Sequence, residues 1–284
     1  MNGFVNVNKK FGDGSTFVVG KVKKKLSSKC GHMGTLDPLA SGVLPVGISK
    51  ATRLFDYLLD KRKTYIAEFE FGRLTDTLDC EGTDVYTGGR VPTKEEITCV
   101  LGDFVGEIDQ VPPRFSAKMV AGKRGYELAR RGVAFELPPK RVTIDGVECI
   151  GQTAENKYTF RIDCRGGTYI RSLARDIANK LGTYGTMTAL QRTAAGVFTL
   201  ENSVSLEEFM GSDNPWQYVL PTDEAISFPK IKLSEVHSVR LLNGLFDRVD
   251  CPDGLYRVYA VDTFWGVGEV ENGLLKMRAY CREC

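Results

Sequence analysis

The sequence pattern that most constrains the fold runs from residue 158 to residue 181. Residues 158–164 alternate between apolar and polar side chains, which is the period of a half-buried β-strand. An Arg-Gly-Gly segment follows, and apolar residues then recur at the spacing of one helix face: Ile170, Leu173, Ala174, Ile177 and Leu181. This order of strand, glycine turn and helix predicts that the first helical residues are presented at the end of a strand, where functional sites are often built.

Other segments carry local signals of the same kind. Residues 65–71 alternate and predict a second half-buried strand, with Tyr65 on its buried side. Capping-box patterns predict helix starts at Thr93 and Ser205, and helical spacing over residues 54–58 predicts a further helix that begins at a Ser49 cap. Because strands and helices alternate irregularly, we predict an α+β protein with a mixed, largely antiparallel central sheet and flanking helices, rather than a βαβ series.

The sequence changes in character near residues 228–229. Short strand candidates with frequent glycine follow, including residues 255–261 and 266–270, and Glu-Asn-Gly at 271–273 is typical of a hairpin turn. We therefore predict a large domain over residues 1–226 and a small β-rich domain over residues 227–284.

Composition excludes several classes of protein. With 284 residues, of which 42% are hydrophobic, the chain can bury an ordinary core, so disorder is not expected. No apolar run approaches the roughly 18 residues that a membrane span requires. The N-terminal residues lack the charged and apolar regions of a signal peptide. We expect a cytoplasmic protein that does not associate with membranes.

Eight cysteines are scattered through a chain too large to need disulfides, and we predict that they are reduced. Cys281 and Cys284 have the two-residue gap of half a zinc site. No second pair at suitable spacing accompanies them, so the sequence predicts no metal centre.

Charge is distributed unevenly along the chain. Residues 1–53 hold nine Lys or Arg against two Asp, and residues 114–141 hold eight basic residues against two Glu. Solvated lysines on helix faces are one interpretation of a run such as residues 21–25. Two separated basic segments on a chain that is more acidic elsewhere favour a surface that binds a polyanion.

The most informative segment for chemistry is residues 31–47. It contains four glycines and two prolines, as loops do, yet it also carries apolar residues that a loop on a bare surface rarely needs. Asp37 precedes Pro38, and an Asp-Pro pair commonly starts a turn in which the carboxylate binds backbone amides. His32 is by itself more typical of a hydrogen-bonding partner than of a reactive group.

The run Gly-His-x-Gly-Thr-Leu-Asp-Pro-Leu-Ala-x-Gly-Val-Leu, which starts at Gly31, resembles the nucleophile loop of the TruB family of tRNA pseudouridine synthases. Further segments resemble the family in the same order along the chain: 72–82, 111–117, 122–132, 167–176 and 190–193. The resemblance covers about residues 3–200. Two departures are Gln191, where arginine is usual, and residues 8–12, which read Asn-Lys-Lys-Phe-Gly where the family reads Asp-Lys-Pro-x-Gly. The missing proline is expected to loosen that loop.

The resemblance implies a pseudouridine synthase fold with a small PUA-like RNA-binding domain. It implies isomerisation of uridine 55 in the T stem-loop of tRNA, by base flipping, with no cofactor, no metal and no obligatory protein partner, in a monomer. Asp37 would be the nucleophile and Arg171 its ion-pair partner, while Tyr65 would stack on the uracil; without the resemblance, Tyr65 would be a core residue and Arg171 a surface arginine near Asp176. Substrate-binding roles are implied for Lys9, His32, Gly34, Thr35, Tyr169 and Leu190.

Two other functions compete with this one. An RNA-binding module without chemistry would not need Asp37, Tyr65 and Arg171 together. A nuclease that uses aspartates would need clustered carboxylates for a metal, and only Asp76 with Asp79 comes near.

Overall fold

The computed structural model describes residues 2–58, 62–116, 118–120, 122–234, 241, 247–260 and 262–282. The chain forms two compact units. The first unit consists of Met1–Pro38, Gly42–Lys61 and Ala195–Cys284, and the second consists of Leu39–Ser41 and Arg62–Ala194. None of the helices in the described ranges is long and apolar enough to cross a membrane.

The strands, in chain order, are β1 Gly3–Lys9, β2 Cys30–His32, β3 Ala40–Ile48, β4 Lys63–Phe71, β5 Arg73–Thr75, β6 Asp84–Thr87, β7 Gly106–Gln110, β8 Met119–Val120, β9 Lys123–Arg124, β10 Lys140–Ala154, β11 Lys157–Cys164, β12 Gly185–Ala195, β13 Phe198–Thr199, β14 Val204–Ser205, β15 Val219–Pro221, β16 Lys230–Leu233, β17 Asp247–Arg248, β18 Gly254–Ala260, β19 Thr263–Glu271 and β20 Leu274–Tyr280. The α-helices are α1 Ser15–Leu26, α2 Lys94–Leu101, α3 Gly125–Arg130, α4 Ile170–Lys180 and α5 Leu206–Gly211. Short 3-10 helices are Ser49–Leu54, Gly102–Phe104 and Pro215–Tyr218.

In the first unit, β1 is the organising strand. It pairs antiparallel with β3 and β15 and parallel with β14, while β2 pairs antiparallel with β3. Six of its seven residues are buried, including the polar Asn6 and the charged Lys9. Helix α1 buries Val18, Val22 and Leu26 at helical spacing and leaves Lys21, Lys23 and Lys24 exposed.

The C-terminal part of the first unit is a five-stranded sheet in the order β16-β18-β19-β20-β17, as the glycine-rich strand pattern predicted. The predicted hairpin turn lies between β19 and β20, where Asn272 and Gly273 both adopt positive φ, 53° and 72°. One hydrophobic cluster includes Phe4 and Leu54 together with Val267. Residues before and after position 226 therefore share a core, and the domain boundary at 226/227 stays a prediction.

The second unit contains a sheet in the order β12-β4-β11-β10-β7. The strands predicted at residues 65–71 and 158–164 are confirmed as β4 and β11, which pair antiparallel with Tyr65 opposite Ile162. Phe69 and Phe160 stack at a centroid distance of 4.6 Å in its core. Helix α4 begins where predicted and buries Ile170, Leu173, Ala174 and Ile177.

Two of the three predicted helix caps are confirmed. Thr93 forms a complete capping box with Glu96, and the Ser205 side chain accepts a hydrogen bond from the Glu208 N–H. The Ser49 prediction was wrong, because Ser49 lies inside a 3-10 helix, has φ 54° and makes no side-chain cap. Pairing of β3 with β1 and β2 continues through Ile48, so the chain must turn sharply at Ser49. These nonlocal pairings override the local helix signal.

Candidate active site

Asp37 lies half-buried in the loop between β2 and β3 of the first unit. The residues on either side of it are held by the segment that precedes it in the chain. Ser15 Oγ donates to the Leu36 carbonyl at 2.8 Å and accepts from the Leu36 N–H at 2.9 Å. The Pro38 carbonyl accepts from the Gly12 N–H at 2.9 Å. The backbone that carries the carboxylate is thus fixed on both sides, as a site that must aim a reactive group requires.

Lys9 contributes to the same anchoring. Its side chain is fully buried, and Nζ donates to the carbonyls of Lys10 at 2.9 Å, Asp13 at 2.7 Å and Pro38 at 3.2 Å. These charge-assisted bonds close the loop over residues 10–13 and tie it to the Asp37 loop, although the family's proline is missing. These three bonds of Lys9 are all with carbonyl groups of the protein's own backbone.

The other first-unit residues of the predicted site lie along the same segment. His32 is half-buried on β2, opposite Val46 of β3. Gly34 adopts φ 130°, a conformation that residues with a Cβ rarely adopt, so glycine is required for the path of the loop. Thr35 is exposed two residues before Asp37.

In the second unit, Tyr65 and Leu190 lie on the neighbouring strands β4 and β12, and both are largely buried. Tyr169 precedes α4, and its N–H donates to Gln110 Oε1 at 2.8 Å. A side chain from β7 thus satisfies one of the free N–H groups at the start of the helix that carries Arg171.

Arg171 is buried in the second unit, which excludes the interpretation of a surface arginine near Asp176. Nη1 lies 3.2 Å from Asp79 Oδ2 and donates to the Thr77 carbonyl at 3.0 Å, and Nη2 donates to the Phe115 carbonyl at 3.1 Å. The side chains of Arg171 and Asp79 are only 8% and 6% exposed. Asp176 instead pairs with Arg175, at 2.8 Å.

Asp79 is the functional candidate that sequence reasoning missed, because it was considered only as a metal ligand. Its Oδ1 accepts from Thr77 Oγ1 at 2.6 Å and from the Glu81 N–H at 3.2 Å, which leaves Oδ2 directed to Arg171. Asp76 accepts from the Thr83 N–H at 2.8 Å. Both carboxylates of the nuclease hypothesis are thus engaged within the protein, and the residues that the structure describes contain no group of three or more potential metal ligands. The general rule that a buried arginine is paired with an acidic residue is the signal that could have identified Asp79.

A second basic feature of the second unit lies next to Tyr65 in sequence. Lys63 is half-buried on β4 opposite Cys164, and Arg192 on β12 is fully buried. Burial and, second, the charge of Arg192 lower the pKa of Lys63 from its ordinary 10.5 to about 8, because both disfavour the ammonium form. Burial likewise raises the pKa of the Cys164 thiol to about 11.

This lowered pKa predicts a specific dependence of stability on pH. Between pH 8 and 10.5 the unfolded chain retains the Lys63 proton that the folded protein has lost, so the contribution of Lys63 to the free energy of unfolding increases as the pH rises. In urea unfolding, wild type should gain up to about 3 kcal/mol relative to Lys63→Met across this window. Lys94→Met, at an exposed position on α2, should show no such trend. A constant difference between wild type and Lys63→Met would contradict the lowered pKa.

Comparison with known proteins adds to this geometry. The family model of the TruB family pseudouridylate synthase N-terminal domain matches residues 21–170, and that of the tRNA pseudouridylate synthase B C-terminal domain matches residues 171–227. The tRNA pseudouridine synthase B of Clostridium kluyveri is 40% identical over 98% of each chain. The protein of the same name from Aquifex aeolicus is 40% identical over 97% of this chain and 98% of its own.

The chain also resembles a protein of known structure. A chain in a crystal structure of a Cbf5-Nop10-Gar1 complex resembles this protein with a TM-score of 0.70 and 27% identity, over 94% of this chain and 78% of that one. The matched family models together extend from residue 21 to residue 227 and include both the Asp37 loop and Arg171. The chain therefore belongs to the TruB family of pseudouridylate synthases.

Proposed function

We propose that this protein is a tRNA pseudouridine synthase that isomerises uridine 55 in the T loop of tRNA. Its membership of the TruB family supports this, as do relatives named tRNA pseudouridine synthase B that match nearly its full length. The observation that carries the proposal is Asp37 on a loop whose flanking residues are both anchored. The reaction breaks the bond between N1 of uracil and C1′ of ribose, turns the base and joins C5 to C1′. The C5 hydrogen leaves as a proton, and N1 takes up a proton, so that the product is an isomer of uridine. No electrons are gained or lost.

The catalytic roles follow the family resemblance. Asp37 is the proposed nucleophile, and an anionic carboxylate is required for this step. Arg171 is proposed to keep that carboxylate ionised and aimed, since a nearby guanidinium favours the charged form. Its own orientation is set by Asp79 and two backbone carbonyls. Tyr65 is proposed to stack on the uracil and to accept a proton during the rearrangement.

Substrate binding requires the target base to leave its stack. Flipping costs a few kcal/mol, which new contacts must offset. His32 is proposed to fill the vacated position and Leu190 to line the pocket beneath the base, while Gly34, Thr35, Tyr169 and Lys9 complete the site. Lys9 acts through the loop backbone that it holds.

The protein is proposed to consist of two domains. Residues 1–226 would form the catalytic domain, and residues 227–284 a PUA-like domain that touches the acceptor arm. The five-stranded sheet of that segment is consistent with such a module. We propose that the protein acts in the cytoplasm as a monomer without an obligatory protein partner.

Release of the hydrogen at uracil C5 from an unmodified tRNA transcript tests the proposed function. A transcript labelled at C5 of its uridines should lose one label per molecule, and a transcript with cytidine at position 55 should lose none. Binding of the transcript without release would instead identify an RNA-binding module that performs no chemistry. Equal release from both transcripts would place the target uridine elsewhere.

The basic segments predict a strong effect of salt on RNA affinity. If lysines and arginines in residues 1–53 and 114–141 contact phosphates, binding releases counterions and log Kd rises linearly with log salt concentration. Six contacts would weaken binding by about a thousandfold between 50 and 200 mM salt. Filter binding over this range measures the slope of log Kd against log salt concentration. A Kd that does not change with salt would show that the basic segments do not contact the phosphates.

A further inference from the structure

Two phenylalanine rings project into solvent next to the Asp37 loop. Phe11 is 68% exposed, more than any other large apolar side chain in the described ranges, and Phe17 is 50% exposed. An exposed aromatic ring forgoes a large area of burial and contributes little to folding. A single exposed apolar residue needs no explanation, but two rings on one basic segment of the first unit suggest a ligand surface.

The backbone that carries Phe11 is firmly held. Lys9 Nζ bonds to the carbonyls of Lys10 and Asp13, on either side of Phe11, and the next residue, Gly12, donates its N–H to the Pro38 carbonyl. Pro38 directly follows Asp37. The exposed ring therefore sits on a loop that is hydrogen-bonded to the backbone of the proposed nucleophile loop.

Helix α1 continues this surface away from the loop. Phe17 lies in its first turn, two residues after Ser15, which is bonded to Leu36 of the same nucleophile loop. The ammonium group of Lys21 lies 5.2 Å from the centre of the Phe17 ring. One turn further, an open cleft of about 500 Å³ is lined by Gly20, Lys23, Lys24, Ser27, Ser28 and Lys29.

The charges along this surface favour an anionic ligand. Two other cations of the segment already have partners in the protein: Lys10 pairs with Glu207 at 2.9 Å, and Lys25 donates to the Met210 carbonyl at 2.8 Å. The lysines around the cleft and beside Phe17 are exposed, and α1 contains no acidic residue. Exposed aromatic rings among exposed lysines match a single-stranded or loop RNA, because bases stack on rings and phosphates pair with cations.

We propose that this aromatic-lysine face, formed by Phe11, Phe17, Lys21, Lys23, Lys24 and Lys29, is an RNA-binding surface on which a nucleobase of the substrate stacks against Phe11. The proposal rests on the proposed function, since it adds a contact for the same RNA substrate. Phe11 stands where the family pattern Asp-Lys-Pro-x-Gly leaves the residue type open, so the pattern itself does not require the ring. The lysines extend the contact along the RNA backbone.

Replacement of Phe11 tests the stacking contact. Phe11→Ala should raise the Kd for an unmodified tRNA transcript about tenfold, because the variant loses the ring on which the base stacks. Phe11→Leu, which keeps an apolar side chain without a ring, should weaken binding by a similar factor, and Phe11→Trp should restore it. Ile150→Ala, at a 45% exposed apolar position on β10, is the matched control and should leave the Kd unchanged.

The contribution of the lysines is measured separately, from the salt dependence of the Kd. Lys24→Ala and Lys29→Ala should each lower the slope of log Kd against log salt by about 0.7–0.9, as the loss of one phosphate contact requires. Unchanged slopes in both variants would show that the cleft lysines do not contact the RNA.

Three outcomes would overturn the stacking proposal. Wild-type affinity in Phe11→Ala would show that the ring does not contact RNA. Wild-type affinity in Phe11→Leu, with weak binding in Phe11→Ala, would indicate apolar packing rather than base stacking. Unchanged RNA binding combined with loss of a protein complex in Phe11→Ala would assign the face to a protein partner. Failure of the proposed function is distinguishable, because it would appear as absence of C5 hydrogen release by the wild-type protein.

Discussion

Asp37→Asn is expected to abolish pseudouridine formation while RNA binding survives. Asparagine has nearly the same shape as aspartate but cannot act as an anionic nucleophile, so turnover should fall on the order of 10⁴-fold or more. The loop should keep its conformation because Ser15 and Gly12 bond to the backbone of Leu36 and Pro38, not to the Asp37 side chain. C5 hydrogen release measures turnover, and filter binding with the same transcript measures the Kd.

Asp13→Asn is the matched control for this experiment. Asp13 lies on the anchoring segment and is also half-buried, and its contact with Lys9 is made through its backbone carbonyl. The control should retain most of the wild-type turnover. Turnover close to wild type in Asp37→Asn would exclude Asp37 as the nucleophile, and equal loss of RNA binding and turnover would assign the residue to loop structure.

Arg171→Met is expected to impair both stability and catalysis. The substitution leaves Asp79 buried with two hydrogen bonds but no cation, and removing one partner of a buried ion pair typically costs about 3–5 kcal/mol of unfolding free energy. The Thr77 and Phe115 carbonyls also lose their donor. Turnover should fall by at least about 100-fold, as expected when a charged group that stabilises the reacting atoms is removed. Urea unfolding and C5 hydrogen release, under conditions where the variant is folded, separate the two effects.

Lys180→Met provides the comparison on the same helix. Lys180 pairs with Asp103 at 2.9 Å, but both side chains are more than half exposed, so its loss should cost less than about 1 kcal/mol. Adding Asp79→Asn to Arg171→Met should recover part of the lost stability, because it removes the uncompensated charge. Wild-type stability in Arg171→Met would contradict the buried ion pair. A folded variant with full turnover would exclude Arg171 from the proposed mechanism.

The sequence alone was sufficient for features that depend on residues close together in the chain. The capping box at Thr93, the strand at residues 65–71 and the apolar face of α4 were predicted correctly, because each results from hydrogen bonds or side-chain periods within a few residues. The family was recognised from motifs, most clearly the run that contains Asp37. The residue types by themselves favoured an Asp-Pro turn as the interpretation of that loop.

Only the tertiary structure decided the features that join distant parts of the chain. Ser49 failed as a cap because β3 pairs with two other strands up to Ile48. The pairing of Arg171 with Asp79, and the exposure of Phe11 on a loop bonded to Pro38, depend on contacts between segments that no local pattern encodes. The physical reason is that burial removes water as an alternative partner for charges and backbone groups. The partner that replaces it is then chosen by how the whole unit packs.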